Sequence, residues 1–223
     1  SINSSANSSW YTATAIGLGD NSSIYTGGGD DSIHISARAT GANTNAWAMR
    51  DSDIDTGSGD DYVSLNASTN SRRWDPAYGA ENSSIDLGDG NDRLYINATA
   101  NGNDWGSIKA YGVLNTTINT SDNNSESFLG FGETPALGND GDSFDFLGFE
   151  QVPAIHNDND SVVINATANN WSWNGNAEAI GLDRSSLDTG IGNDDIKINA
   201  HADGANTNAW AMRDSDIDTG SGD

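Results

Sequence analysis

The chain has 223 residues, with apolar types at 35%, nine Lys and Arg against 33 Asp and Glu, and no cysteine. A formal charge of -24 excludes a general binder of the nucleic-acid backbone, whose affinity comes from cationic neutralisation, and points to a soluble polyanion or a collector of cations. Disulfide staples are excluded as well, and no apolar run reaches the length of a membrane span.

In chain order, Ile2–Asn7 (INSSAN) parallels Ile164–Asn169 (INATAN), so the chain opens as mid-fold sequence, without the charged and apolar regions of a signal peptide. A short strand follows at Ile24, then the glycine turn Thr26-Gly27-Gly28-Gly29-Asp30-Asp31. Beyond it Ile33, Ile35, Ala37 and Ala39 point one way while His34, Ser36 and Arg38 point the other, which is the period of a strand. The same succession returns as Ile54, TGSGDD from Thr56 and Val63; as Ile85, LGDGND from Leu87 and Leu94; and as Leu187, TGIGND from Thr189 and Ile196. It begins once more at Ile217 and Thr219. Two strands joined by a Gly-rich corner and repeated in register predict an all-β fold, one parallel β-solenoid (β-helix or β-roll) over residues 1–223, with no helix.

The second acid of each turn marks the coils at Asp31, Asp61, Asp92, Asn124, Asp142, Asp160 and Asp194. Their spacing is about 30–34 residues, except for two shorter coils of about 18 around Asp142. Ser127–Phe131 recurring as Asp145–Phe149 supports the short pair. A longer repeat overlies this one: Gly41–Asp60 is identical to Gly204–Asp223, so residues 204–223 begin a second copy of a unit of about 163 residues, holding about six coils. The chain reads as a window on a longer array. Each long coil also carries an aromatic residue, expected to form a core column of Trp47, Trp74, Trp105, Trp171 or Trp173, and Trp210, followed by Met49, Tyr78, Tyr111, Ile180 and Met212. The other reading of these aromatics is an exposed ladder that stacks on sugars.

The turn has the pattern G-x-G-[D/N]-D-x-U-x, where U is a large aliphatic residue. It resembles the calcium-binding nonapeptide of the haemolysin-type (RTX) repeat proteins, G-G-x-G-x-D-x-U-x. Matching positions are Gly27, Gly29, Asp31 and Ile33; Gly57, Gly59, Asp61 and Val63; Gly88, Gly90, Asp92 and Leu94; and Gly190, Gly192, Asp194 and Ile196. The family's first glycine is replaced by Thr26, Thr56, Leu87 and Thr189. The resemblance implies stacked coils with calcium held between turns, and an extracellular fibril or surface-layer role of the kind found on cyanobacteria and other bacteria.

Electrostatics also expects a cation. Parallel rungs stack about 4.8 Å apart, so equivalent carboxylates repel by about 0.9 kcal/mol per neighbouring pair in water and by several at an effective dielectric near 20. A hard divalent ion accepts carboxylate and carbonyl oxygens in flexible number, which favours Ca²⁺ over Mg²⁺. The expected metal residues are Gly27, Gly29, Asp30 and Asp31; Gly57, Gly59, Asp60 and Asp61; Gly88, Gly90, Asn91 and Asp92; Asp142 and Asp160; and Gly190, Gly192, Asn193 and Asp194. The competing reading is that these Asx side chains only hydrogen-bond their turns.

Asn-X-Ser/Thr sequons fall in two columns, Asn3, Asn66, Asn97 and Asn165 after the turn strand and Asn21, Asn82 and Asn115 before the short strand. They are expected either to carry glycan or to form amide ladders, as Asn199 in the first column without a sequon suggests. Catalysis is not expected, since His34, His156 and His201 occupy unlike positions and no nucleophile–base constellation stands out. The irregular region Ser121–Val152 is the one place where a cleft would interrupt the ladder. Ice binding through Thr26, Thr56, Thr189 and Thr219 is disfavoured because alternation turns these residues toward the core. The sequence thus predicts a calcium-stabilised structural element of an extracellular fibre. Its partners would be further copies stacked end to end and extracellular glycans, with neither nucleic acid nor a membrane span. The alternative is the extender of a calcium-dependent adhesin.

Overall fold

The computed structural model describes residues 1–71, 75–103, 107–121 and 158–222. They form a parallel β-solenoid of six rungs, with no helix among the described residues. The first rung is β1 (Ile2–Leu18) and β2 (Ser23–Tyr25), and the second is β3 (Ser32–Arg50) and β4 (Asp53–Asp55). The third contains β5 (Tyr62–Ser71), β6 (Asp75–Glu81) and β7 (Ser84–Asp86), and the fourth β8 (Arg93–Gly102), β9 (Ser107–Leu114) and β10 (Thr117–Asn119). The fifth is β11 (Ser161–Asn170), β12 (Asn176–Asp183) and β13 (Ser186–Asp188). The sixth is β14 (Asp195–Asp203), β15 (Asn206–Arg213) and β16 (Asp216–Asp218). Every rung therefore has two long runs, continuous in β1 and β3, and one short strand. The long runs share a ten-stranded sheet and the short strands form a six-stranded one.

Alternation builds the core. Ile33, Ile35, Ala37 and Ala39 are buried, and the register carries the pattern through Val63–Leu65–Ala67, Leu94–Ile96–Ala98–Ala100 and Val162–Ile164–Ala166–Ala168. From the opposite side the short strands add a column running from Ile24 through Ile54, Ile85, Ile118 and Leu187 to Ile217. Alanine dominates the long runs because the interior is narrow, and close packing leaves no slack. A Cβ on Gly79 would stand 2.2 Å from Ile96 Cγ2, one on Gly112 2.4 Å from Ile164 Cγ2, and one on Gly181 2.3 Å from Ile198 Cγ2. Between runs and short strand the chain turns through left-handed non-glycine residues, Asp51, Asn82, Asn115, Arg184 and Asp214. Asx residues tolerate that conformation better than most.

One expectation needs correction, the order of the aromatic column. Trp47 pairs with Tyr78 and Tyr78 with Tyr111, their rings stacked at 5.4 and 5.1 Å, and Ile180 and Trp210 continue the column. Met49 pairs instead with Ala80 and is fully buried. Each of these aromatic-column residues lies four positions before its left-handed corner residue, and that constant offset, not residue type, sets the register. Trp74 and Trp105 lie outside the described residues.

The short coils expected at Asn124 and Asp142 fall in residues 122–157, outside the described residues. Among the described residues β11 pairs directly with β8, Ser161 opposite Arg93 and Asn170 opposite Gly102. Thr120 lies in line with Thr189, and Asn159 donates its N–H to Asn91 Oδ1 at 2.9 Å. Thr120–Ser121 and Asp158–Asp160 are thus two halves of a single turn. Among the described residues the unit of about 163 residues supplies four rungs, the third to the sixth.

Candidate cation-binding turn column

The glycine turns stack directly on one another. Gly57 has φ +93°, and a Cβ there would stand 1.9 Å from Gly27 O, so neither the conformation nor the contact admits a side chain. Gly192 shows the contact alone, its Cβ position lying 1.5 Å from Asp158 O. Gly27, Gly29, Gly59, Gly88, Gly90 and Gly190 repeat the left-handed geometry. The close approach lets the turns extend the ladder: Ser58 donates its N–H to Gly27 O at 2.9 Å and Asp89 to Gly57 O at 2.9 Å. Turn carbonyls are therefore engaged between rungs.

The doubled acids diverge. The first position of each pair, Asp30, Asp60, Asn91, Asn159 and Asn193, is exposed. There the side-chain Oδ1 of Asp30, Asp60, Asn91 and Asn159 accepts the N–H of the equivalent residue one rung on: Asp30 from Asp60 at 3.0 Å, Asp60 from Asn91 at 2.9 Å, Asn91 from Asn159 at 2.9 Å and Asn159 from Asn193 at 2.8 Å. The Asn91 N–H, and after it the Asn91 side-chain amide, hold the Asp60 carboxyl below the usual carboxylate range. The second position turns inward and bonds in the opposite direction. Asp61 Oδ1 accepts from Asp31 N–H at 2.7 Å, Asp92 from Asp61 at 2.8 Å, Asp160 from Asp92 at 2.9 Å and Asp194 from Asp160 at 2.9 Å. Asp61 and Asp92 are 1% exposed and Asp160 2%.

The second carboxylate oxygen separates the rungs. Thr189 Oγ donates to Asp194 Oδ2 at 2.8 Å, and Thr120 Oγ donates to Asp160 Oδ2. The Thr26 and Thr56 hydroxyls donate instead to the carbonyls of Thr56 and Leu87, and Leu87 has no hydroxyl. As a result Oδ2 of Asp31, Asp61 and Asp92 is buried without a hydrogen-bond partner. An orphaned buried carboxylate oxygen is costly. Burial, with the neighbouring Asp160 and Asp61 charges, pushes the Asp92 carboxyl up to about 8; burial also raises Asp160, to about 6, against the opposing Thr120 hydrogen bond. The inner column thus unites Asp31, Asp61, Asp92, Asp160 and Asp194, while Asp30, Asp60, Asn91 and Asn193 stand apart from it. Asp142 lies outside the described residues. Among the described residues no three His, Asp or Glu side chains converge as a metal cluster. The three orphaned oxygens are the feature that fits a hard cation, and they fit one only along the Asp31–Asp92 part of the column.

The sequon columns also form as rows. Asn3, Asn66, Asn97 and Asn165 lie in register with Ser36 and Asn199, and Asn199 donates to Asn165 Oδ1 at 3.0 Å. Asn21, Asn82 and Asn115 all occupy the left-handed corner, where Asn115 donates to Asn82 at 3.1 Å and Asn82 to Asp51 at 3.2 Å. Thr56 and Thr189, with Thr120 in the same column, are buried as alternation requires, whereas Thr26 and Thr219 on the terminal rungs are exposed. Sequence reading had no means to find the split between threonine-capped and uncapped carboxylates, although Leu87 was visible as the odd residue.

Fold and turn together define a parallel β-solenoid of six rungs whose geometry is compatible with RTX-type repeats. Comparison with protein-family models, with curated proteins and with solved structures finds no match.

Proposed function

We propose that the chain is a calcium-stabilised structural segment of an extracellular fibre or surface layer, built on an RTX-like repeat and extended by further copies of itself. One observation supports the cation above all: the unpartnered, buried Oδ2 atoms of Asp31, Asp61 and Asp92 on three successive rungs. These three carboxylates are the residues that would hold it. A bound Ca²⁺ supplies positive charge to a column whose members otherwise repel, and hard cations prefer such oxygen ligands. The fibre reading is supported by the architecture, since in one-dimensional stacks stability is a sum over neighbouring rungs and length adds without redesign.

The experiment is thermal unfolding followed by circular dichroism at low salt, in chelator, in Ca²⁺ and in Mg²⁺. Calcium is expected to raise the midpoint relative to chelator, as any ligand of the native state does, with Mg²⁺ the weaker. Identical midpoints in chelator and millimolar calcium would remove the cation from the proposal.

A further inference from the structure

Among the described residues, four of the five aromatic side chains that are more than 60% exposed lie on one corner of the solenoid, between the first and second long runs. They are Trp10 (78%), Tyr11 (80%), Trp171 (63%) and Trp173 (91%). Two different local devices put them there. In β1 the pairing Ser8–Gly41 resumes as Thr12–Asn43, so Ser9, Trp10 and Tyr11 stand opposite the single residue Ala42. The surplus residues bulge outward, tied by Tyr11 N–H to Ser8 Oγ at 3.1 Å, and bulges of this kind re-aim side chains. At the corner between β11 and β12 the buried Asn170 amide accepts from Ser172 N–H at 3.1 Å and donates to Asn176 O at 3.0 Å. Gly175 closes that loop where a Cβ would meet the same amide at 2.2 Å. Trp171 and Trp173 are left on the outside.

Beside Trp10 runs a groove of about 530 Å³ lined by Asn7, Ser8, Ser9, Thr40, Asn70 and Ser71, across three rungs. That volume lies within the range of small-molecule sites, yet every one of these side chains is an uncharged amide or hydroxyl. The two aromatic groups are four rungs apart, about 19 Å along the axis. Exposed aromatic faces beside neutral donors and acceptors match a ligand with apolar ring faces and a hydroxylated rim. An apolar protein partner would bury the amides unpaired, and a polyanion would meet a molecule of charge -24.

We propose that this corner binds a neutral polysaccharide chain lying along the solenoid axis, with Trp10 and the Trp171–Trp173 pair stacking on sugar faces and the groove amides and hydroxyls bonding sugar hydroxyls. The binding is independent of calcium and of the fibre reading, since none of these side chains belongs to the turn column.

The test is native affinity electrophoresis of the chain in gels containing dextran, galactomannan or hydroxyethyl cellulose, with alginate as the anionic comparison. Retardation is expected in at least one neutral gel and not in alginate. Trp10→Ala and the double change Trp171→Ala/Trp173→Ala should each weaken binding about tenfold, the scale of one lost aromatic contact, with unchanged circular dichroism because the side chains are exposed. Tyr25→Ala, 71% exposed on the short-strand face, should bind as the parent does. Absence of retardation in all neutral gels, equal retardation of the Trp variants and parent, or equal retention by alginate would overturn the proposal. So would loss of self-association in sedimentation by the Trp variants without any glycan binding, which would assign the aromatics to a second copy of the chain.

Discussion

At Asp92 a single missing hydroxyl sets the chemistry. Thr120 and Thr189 donate to the inner carboxylates of their own turns, and Leu87 cannot. The Asp92 carboxyl is pushed up to about 8 from the ordinary 3.8, mainly by burial. A carboxyl with a raised folded pKa binds its proton more tightly in the native state. Without a cation, then, its contribution to stability is greatest below about pH 4 and declines as the pH rises to about 8. Asp92→Asn removes the buried charge while keeping the Oδ1 acceptor for the Asp61 N–H, so it should stabilise the cation-free chain at pH 8 by about 1–3 kcal/mol, the scale of desolvating a buried unpaired group, and should flatten the pH dependence. Urea midpoints in chelator across pH 4–9 will measure both effects, and a destabilised variant at pH 8 would refute the assignment. The glycines make a separate point. Gly27 and Gly57 share a left-handed φ, but only the Gly57 Cβ position strikes a neighbouring rung. Gly57→Ala should cost more than Gly27→Ala, whose penalty is the conformational one of about 1–3 kcal/mol, when the two thermal midpoints are compared.

Within the long runs, small and branched residues face each other across a narrow core. Gly17, Gly79, Gly112 and Gly181 leave room for the Cγ2 atoms of Ile35, Ile96, Ile164 and Ile198. Ala48 occupies the same column, and the next turn strand carries Leu65, which is not branched at Cβ, where the others have isoleucine. Gly112→Ala should therefore destabilise by about 1–3 kcal/mol through overpacking. Adding Ile164→Leu should recover part of that loss, giving a favourable coupling energy in a double-mutant cycle. Additive losses would show that the Cβ contact with Gly181 O, 2.6 Å in the wild-type geometry, dominates instead.

For the whole molecule, rung count sets the dimensions of any array. Between the copies Gly59 and Gly222 the described stack advances four rungs, so a tandem array should show an axial period near 19 Å, from about 4.8 Å per rung. Six rungs per unit would give about 29 Å. Fibre diffraction or electron microscopy of a multi-unit array separates the two values, and the longer period would require residues 122–157 to add rungs to the stack. In the described stack β11 follows β8 directly.

Much of this fold was legible in one dimension. Alternating apolar residues and recurrent glycine turns recur at fixed intervals, and a parallel stack repeats identical geometry on each rung, so periodicity alone determined the solenoid, its turn column and its buried strand faces. The register of the aromatics and the direct pairing of β11 with β8 depended on which segments pair, in the second case across an interval of 68 residues, and backbone pairing is a choice among alternatives that residue type does not rank. The candidate site divides the same way. Its doubled acids were evident from the sequence, but successive side chains on a strand point to opposite faces, and only packing decided that Asp61 and Asp92 are buried beside one another while Asp30 and Asp60 remain in water. Only the tertiary contacts, too, decided which carboxylate oxygens a threonine hydroxyl satisfies and which are left without a hydrogen-bond partner.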